Sequence, residues 1–536
     1  MIHMQNPKQL YIFDPWDSIS PKRRQMLDAG WPGLFREHIL PSIPADKFAK
    51  FFDEFMGRST KELYSMLGAL ILQQTCNLTD EETVQQYCFN MQWHYALNIT
   101  EESDNAKYVS TKTLWNNRNI IVQNGLEDII FNSGTAKLAE AFNVNTDKQR
   151  LDSVHIKSNM RRLGRIGIFS ETIHKFLANL KRQYPAFFDK VDKHIIEKYF
   201  TKNAMNCFSM VKPSESHKTL SEVSKDLFNL FVQFQHTDEV SSLYSFKLLE
   251  RVLNEQCNLT DDTDNPVLIK KPKEIASDSL QNPSDPDASY SGHKGQGYQV
   301  QIMETYSPCD DPEDKQLRLI THVKVEKAYQ SDANALLPAI ESAEANGFAP
   351  KEVLADSLYG SDNNLQKAET QGVELVAPVM GAPKEDKLGL CNFKISDDGC
   401  ILACPQGHPP VTVKKKKRNS VGFDMEVCSN CPKQSQCPVK KGRKFFYLRF
   451  TEKDKRVAMR RLYERTDGFK DRYRWRSGVE ATMSEYDRRT GVKRLRVRGL
   501  KAVSYCAVLK ALGVNIFRAA AFRMAQMMPK QGLCAV

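Results

Sequence analysis

Apolar residues recur at helical spacing through the first 145 residues. Leu63, Met66, Leu67 and Leu70 fall at i, i+3, i+4 and i+7 behind Ser59-Thr60-Lys61-Glu62, which has the spacing of a capping box. A second box, Thr79 to Glu82, predicts another helix after a break at Cys76-Asn77. Such a pair is either a helix-turn-helix or a plain helical hairpin. At "RLDSVHIKSNM" (150–160) Leu151, Val154 and Ile156 predict a strand with Asp152 near its start. Helical spacing returns with Ile173, Phe176, Leu177 and Leu180 and continues to about residue 257, and the Pro-, Gly-, Ser- and Asp-rich stretch 260–297 reads as a connector. Alternating strands follow at 297–305 and 317–325, and Asp332 precedes a helix closed by Gly347. Next come "KEVLADSLYGSDN" (351–363), an apolar strand running into Asp356, then a helix near 362–371 and an apolar strand at 373–380. Together these elements predict a mixed α/β sheet.

Length and charge add partners to that outline. With 536 residues the chain has material for three or more folding units, and 41% hydrophobic and 26% charged residues are ordinary for globular proteins. A net charge of +11 favours a polyanionic partner. No run of about 18 uncharged apolar residues and no signal-peptide layout at the N-terminus leads to the expectation of a soluble, intracellular protein without a membrane partner. Thirteen cysteines, an odd count and partly clustered, suit thiols and a metal site better than disulfides.

Three groups of residues carry possible chemistry. Cys404, Cys428, Cys431 and Cys437 form C-x23-C-x2-C-x5-C, with Cys400 and His408 nearby, a pattern that suits structural Zn2+ or else unliganded thiols in a basic insert. "KKKKR" (414–418) lies between the halves of that pattern. In "RYRWRSGVEATMSEYDRRTGVKRLRVRG" (472–499) nine basic residues face three acidic ones, and a continuous helix would set Tyr473, Arg476 and Glu480 on one face. Asp152 and Asp356 each sit beside strand-patterned apolar residues, where an unpaired carboxylate is costly. Two strand aspartates and a helical glutamate are the hard oxygen donors that a two-Mg2+ phosphoryl-transfer site needs.

At this point the chain resembles a family, the DDE transposases of bacterial insertion sequences, whose catalytic domain is RNase H-like. "LADSLYGS" resembles the strand of the family's second aspartate, and Tyr473-x2-Arg476-x3-Glu480 has the Y-x2-R-x3-E spacing around its glutamate. The lysine usual seven residues later is here Asp487, followed by Arg488 as the substitute. The segment 57–99 resembles the helical domain that precedes the catalytic core. "Asp152-Ser153-Val154-His155-Ile156" resembles the first-aspartate strand, while "SDPDASYSGHKGQGYQVQI" (284–302) offers Asp285 or Asp287 as the alternative, with Pro286 awkward inside a strand.

The resemblance implies an α/β, RNase H-like mixed sheet with helices, an N-terminal helical domain, a helical insertion and a small cysteine-rich insert. The expected divisions are 1–145 as an N-terminal helical DNA-binding domain and 146–163 as the first core strand. A helical insertion at 164–275, the core at 276–380, the insert at 381–450 and basic C-terminal helices carrying the glutamate at 451–536 complete them. The implied function is binding of the terminal inverted repeats of a mobile element, then Mg2+-dependent strand cleavage and transfer into target DNA. Asp152, Asp356 and Glu480 would hold two Mg2+; Tyr473, Arg476, Arg488, Lys493, Arg494 and Arg496 would contact DNA. A homodimer on DNA and a place in the bacterial cytoplasm, at the nucleoid, are also implied. The competing readings are a non-catalytic DNA-binding regulator, such as a domesticated transposase, and an RNase H-like nuclease or resolvase that cuts without joining.

Overall fold

The computed structural model describes the chain apart from residues 1, 8–11, 13, 54–58, 201–212, 263–264, 310–315, 382–385, 397, 415–417 and 528–536. Strand β1 is Lys148–Lys157; β2 (Cys257–Leu259) and β3 (Val267–Ile269) form a small hairpin in the helical insertion. The main sheet adds β4 (Ser289–Ser291), β5 (Gly295–Thr305), β6 (Ile320–Lys327), β7 (Glu352–Leu354) and β8 (Glu374–Val376). Its order is β4-β5-β1-β7-β8, with β6 also paired to β5. β6, β5 and β1 run antiparallel in succession, whereas β1, β7 and β8 are parallel, with helix Asp362–Thr370 joining β7 to β8. This is the RNase H-like arrangement.

The connection from β1 to β5 holds the insertion. Its long helices, Arg165–Gln183, Ser216–Phe234 and Tyr244–Gln256, bury Phe176, Leu227 and Leu249 in a core of their own. The N-terminal helices, by contrast, share one continuous core with the sheet and with the C-terminal helix Leu500–Met527. That helix is long and apolar enough to cross a membrane, which the pattern of uncharged residues did not anticipate, but most of its apolar window is buried inside the protein. Its approach to helix Leu63–Thr75 is close: a Cβ on Gly513 would lie 2.6 Å from Thr75 Oγ1. Lys510 on the same helix is buried, and its ammonium donates to Asn77 Oδ1 (2.8 Å) and the carbonyls of Thr490 (2.6 Å) and Gln74 (3.3 Å). Burial is the main cause that brings its pKa down to about 8.

Local signals fared unequally. The Thr79–Glu82 capping box is present, both of its bonds formed. The Ser59–Glu62 box is not: Glu62 is itself the N-cap, accepting from Tyr64 and Ser65 backbone N–H groups, while Thr60 Oγ1 accepts from His3 N. A carboxylate can satisfy those orphan donors as well as a hydroxyl, so the helix begins three residues later than the box implies. Helices Leu63–Thr75 and Asp80–Phe89 follow one another across the break at Cys76-Asn77. The second helix opens on Asp80, Glu81 and Glu82, charges that suit the positive end of a helix. Asp80 also pairs with Arg118 (2.6 Å).

Candidate active site

Two strands position the aspartates. β1 and β7 pair in parallel as Lys148↔Glu352, Gln149↔Val353 and Arg150↔Leu354. The same offset carried two residues further sets Asp152 opposite Asp356, where β7 ends and the chain enters its Gly/Ser/Asp turn. Asp356 closes that turn on itself, its Oδ1 accepting from Leu358 N (2.8 Å). The Asp152 carboxyl is raised above the usual carboxylate range, by burial first; Arg476 pulls it down, and Asp356 and Asp332 push it up.

Arg476 occupies the space between two of the acids. Its Nη2 lies 2.7 Å from Asp152 Oδ2 and its Nη1 3.2 Å from Glu480 Oε1, while its Nε is buried without a partner. The glutamate is on the first turn of helix Gly478–Thr490 and its side chain is 70% exposed. Tyr473, Arg476 and Glu480 do not lie on one continuous helix as their spacing predicted. Helix Asp467–Tyr473 passes into a 3-10 turn, Arg474–Ser477, before the helix of Glu480 begins. The cause is Arg150, whose Nη1 takes the Trp475 carbonyl (2.6 Å) and whose guanidinium lies where a Cβ on Gly478 would fall. Tyr473 is half-buried, stacked on Phe469 at 5.3 Å, and its phenol is raised by burial, lowered by Arg476, and raised by Asp356 and Asp152.

Sequence reasoning missed the support beneath this site. Glu304 on β5 is fully buried and accepts from Arg150 Nε (2.7 Å), Arg518 Nη1 (2.9 Å) and Thr482 Oγ1 (2.7 Å). Burial alone would raise its pKa; Arg518 and Arg150 hold it below the usual range. Thr482 lies two residues beyond Glu480, so this cluster pins the glutamate's helix to the sheet. Partners more than 150 residues apart leave no local pattern to read.

Asp285 and Asp287 are employed elsewhere. Asp285 is fully buried beside Ser158, just past the far end of β1. It accepts from Ser158, from the Tyr298 hydroxyl (2.5 Å) and from Gly499 N (3.0 Å), and Asp287 accepts from Leu500 N (2.9 Å). The pair thus caps the start of helix Leu500–Met527, ~20 Å along the strand from Asp152 at about 3.3 Å per residue. Arg488, Lys493, Arg494 and Arg496 are all exposed around the end of helix Gly478–Thr490. Of "KKKKR", residues 415–417 lie outside the described residues.

Cys404, Cys428, Cys431 and Cys437 line one cavity of about 20 Å3. Cys404 sits in a tight turn, its carbonyl accepting from Gly407 N (2.9 Å) and its N–H donating to the His408 carbonyl (2.9 Å). The Cys428 thiol is pushed up to about 11 by burial, with Cys404, Cys437 and Cys431 adding to it. Among the described residues, no group of three or more His, Cys, Asp or Glu side chains is already arranged to hold a metal ion.

Comparison with known families finds two matches. Residues 27–119 match the transposase domain (DUF772), and residues 403–520 match the transposase DDE domain. The second match includes the four cysteines, Tyr473, Arg476 and Glu480; Asp152 and Asp356 lie outside both. No curated protein matches the chain.

Proposed function

We propose that this chain, a DDE transposase of the insertion-sequence type by its two family matches, binds the terminal inverted repeats of its element. It then cleaves their ends in a Mg2+-dependent reaction and transfers them to target DNA. Transposases of this kind act on DNA and use divalent metal. The observation that supports the reading is the parallel β1–β7 register, which carried two residues further brings Asp152 to Asp356, together with Arg476 bridging Asp152 to Glu480.

The donor set fits the metal by its chemistry: three carboxylates supply hard oxygens, and a guanidinium stands as a cation between two of them. Asp152, Asp356 and Glu480 are the residues that would hold Mg2+, which when bound supplies Lewis acidity to the attacking and leaving oxygens. The protein's own groups have separate tasks. Arg476, released from the carboxylates, binds a phosphate beside the scissile bond, and Tyr473 packs the backbone there. Arg488, Lys493, Arg494 and Arg496 hold the flanking duplex. Because these are phosphate contacts, binding weakens steeply with salt.

The deciding experiment compares the protein with Asp356→Asn on a DNA end carrying the element's terminus. Mg2+-dependent nicking and joining by the first and neither by the second is expected. Equal cleavage by both would sink the assigned site, binding without cleavage by the unmodified protein would favour a regulator, and cutting without joining would favour a nuclease. A footprint confined to the inverted repeats and a dimer on paired ends are the expected states of the complex.

The four cysteines support a second, structural metal. A cavity with room for one water-sized occupant between four thiols suits Zn2+, provided the ring tightens on the ion and the thiols are deprotonated. Purified protein is expected to carry about one equivalent, since a closed site of four thiolates holds a single ion. That metal should be lost when Cys428 and Cys431 become serine; metal-free protein of unchanged stability would overturn the assignment.

A further inference from the structure

On the face of β1 opposite Asp152 runs a buried polar chain that the transposase reading does not use. Successive residues of a strand face opposite sides, so Ser153 looks away from the carboxylate beside it. Lys294, at the tip of the β4–β5 hairpin, reaches across to it: its Nζ donates to Ser153 Oγ (2.9 Å), Asp332 Oδ2 (3.1 Å) and Gln299 Oε1 (3.3 Å). Asp332, 8% exposed, accepts at its other oxygen from Gln301 Nε2 (2.9 Å). Gln301 Oε1 in turn accepts from the hydroxyl of Tyr359 (2.7 Å), a residue of the Asp356 turn whose N–H donates to the Asp356 carbonyl (3.2 Å). Asn364 ties the two segments once more, donating to the carbonyls of Ala333 (2.7 Å) and Tyr359 (3.0 Å).

Every link is a hydrogen bond, and the chain starts one residue after Asp152 and ends three residues after Asp356. Burying an aspartate, two glutamines and a tyrosine beside a half-buried lysine is costly unless each is satisfied, and a satisfied network specifies geometry more narrowly than apolar packing does. The two strand aspartates also repel each other, so something must hold them at their separation. We propose that Asp332 and Lys294 are positioning residues that hold Asp152 and Asp356 at the spacing a shared metal requires. The proposal rests on the transposase reading for what the aspartates do. It adds that their spacing is set by a carboxylate and an ammonium that touch neither DNA nor metal.

The test uses the full-length protein with Asp332→Asn, Lys294→Met, Lys294→Arg and the control Asp356→Asn. Four quantities are measured: Mn2+ affinity by calorimetry, DNA-end affinity by anisotropy, kcat and KM of cleavage, and the unfolding midpoint. Asp332→Asn and Lys294→Met should each weaken Mn2+ binding and lower kcat by about tenfold or more, the usual cost of removing an outer-shell partner, with DNA affinity and KM unchanged. Lys294→Arg should recover part of both. Lys294 is the more exposed of the pair, so its variants keep the test usable if Asp332→Asn unfolds. Variants that fold and bind Mn2+ like the unmodified protein, losing only thermal stability, would overturn the proposal. If instead the unmodified protein and Asp356→Asn bind Mn2+ alike, it is the assignment of the aspartates that has failed.

Discussion

Two arginine–carboxylate clusters sit two residues apart on the same face of β1, and they behave as opposites. Around Arg150 the charges are sealed: the Arg150 and Glu304 side chains are 2% and 0% exposed, and Glu304 is held by two guanidinium groups and a hydroxyl. Around Asp152 the same chemistry is open on one side: Arg476 spans Asp152, 16% exposed, and Glu480, 70% exposed. A sealed pair is a joint, because removing either partner leaves a charge without water or counter-ion. An open pair can exchange its partner, which the proposed metal and phosphate chemistry would need. Exposure, rather than residue type, separates the sealed pair from the open one here.

Matched substitutions break the comparison most sharply. Asp152→Asn should abolish cleavage, by on the order of 10^3-fold or more as expected for one member of a cooperating catalytic unit, and leave the unfolding midpoint nearly unchanged. Glu304→Gln is the same chemical change in the sealed cluster. It should destabilise the fold by about 3–5 kcal/mol, the usual cost of breaking a buried pair, read in a urea titration. An Asp152 variant that unfolds, or a Glu304 variant as stable as the parent, would erase the distinction.

Arg476→Ala probes the open cluster's exchangeability. In DNA-free protein Mn2+ binding should tighten several-fold, since the guanidinium no longer competes for Asp152 and Glu480, while affinity for DNA ends falls. Metal affinity that drops together with DNA affinity would mean the arginine supports the carboxylates instead of holding their place.

Glu127 gives the smallest effect, as a carboxylate that neither cluster serves. It opens helix Glu127–Ala141, its Oε2 is buried without a partner, and its pKa is pushed up to about 7 by burial, with Asp128 adding and Lys324 and Lys501 opposing. The folded state therefore holds its proton more tightly than the unfolded chain. The stability this brings is fully present below about pH 4.5 and is lost as pH rises through 7. Glu127→Gln should raise the unfolding midpoint at pH 8 by about 2 °C, within the range of a ~1 kcal/mol change, and by less at pH 5.

What was legible along the chain follows the reach of the interactions. The Thr79–Glu82 box could be read because its two bonds span three residues, and the insertion's helices because their apolar stripes repeat locally. That Asp285 bonds to Ser158 and Gly499 could not be read locally, because both partners are distant in sequence. The turn between Tyr473 and Gly478 depends on Arg150, more than 300 residues earlier, so local spacing could only suggest an unbroken helix.

By itself, then, the sequence determined the periodic elements, the basic C-terminal helices, the cysteine spacing and the family motifs around Asp356 and Glu480. These depend on residues within a few turns of one another. Only the tertiary structure showed which strand runs beside β7, which arginine spans Asp152 and Glu480, and which charges are buried together. Those outcomes rest on strand register and on desolvation, and both arise only when segments hundreds of residues apart pack together and exclude water.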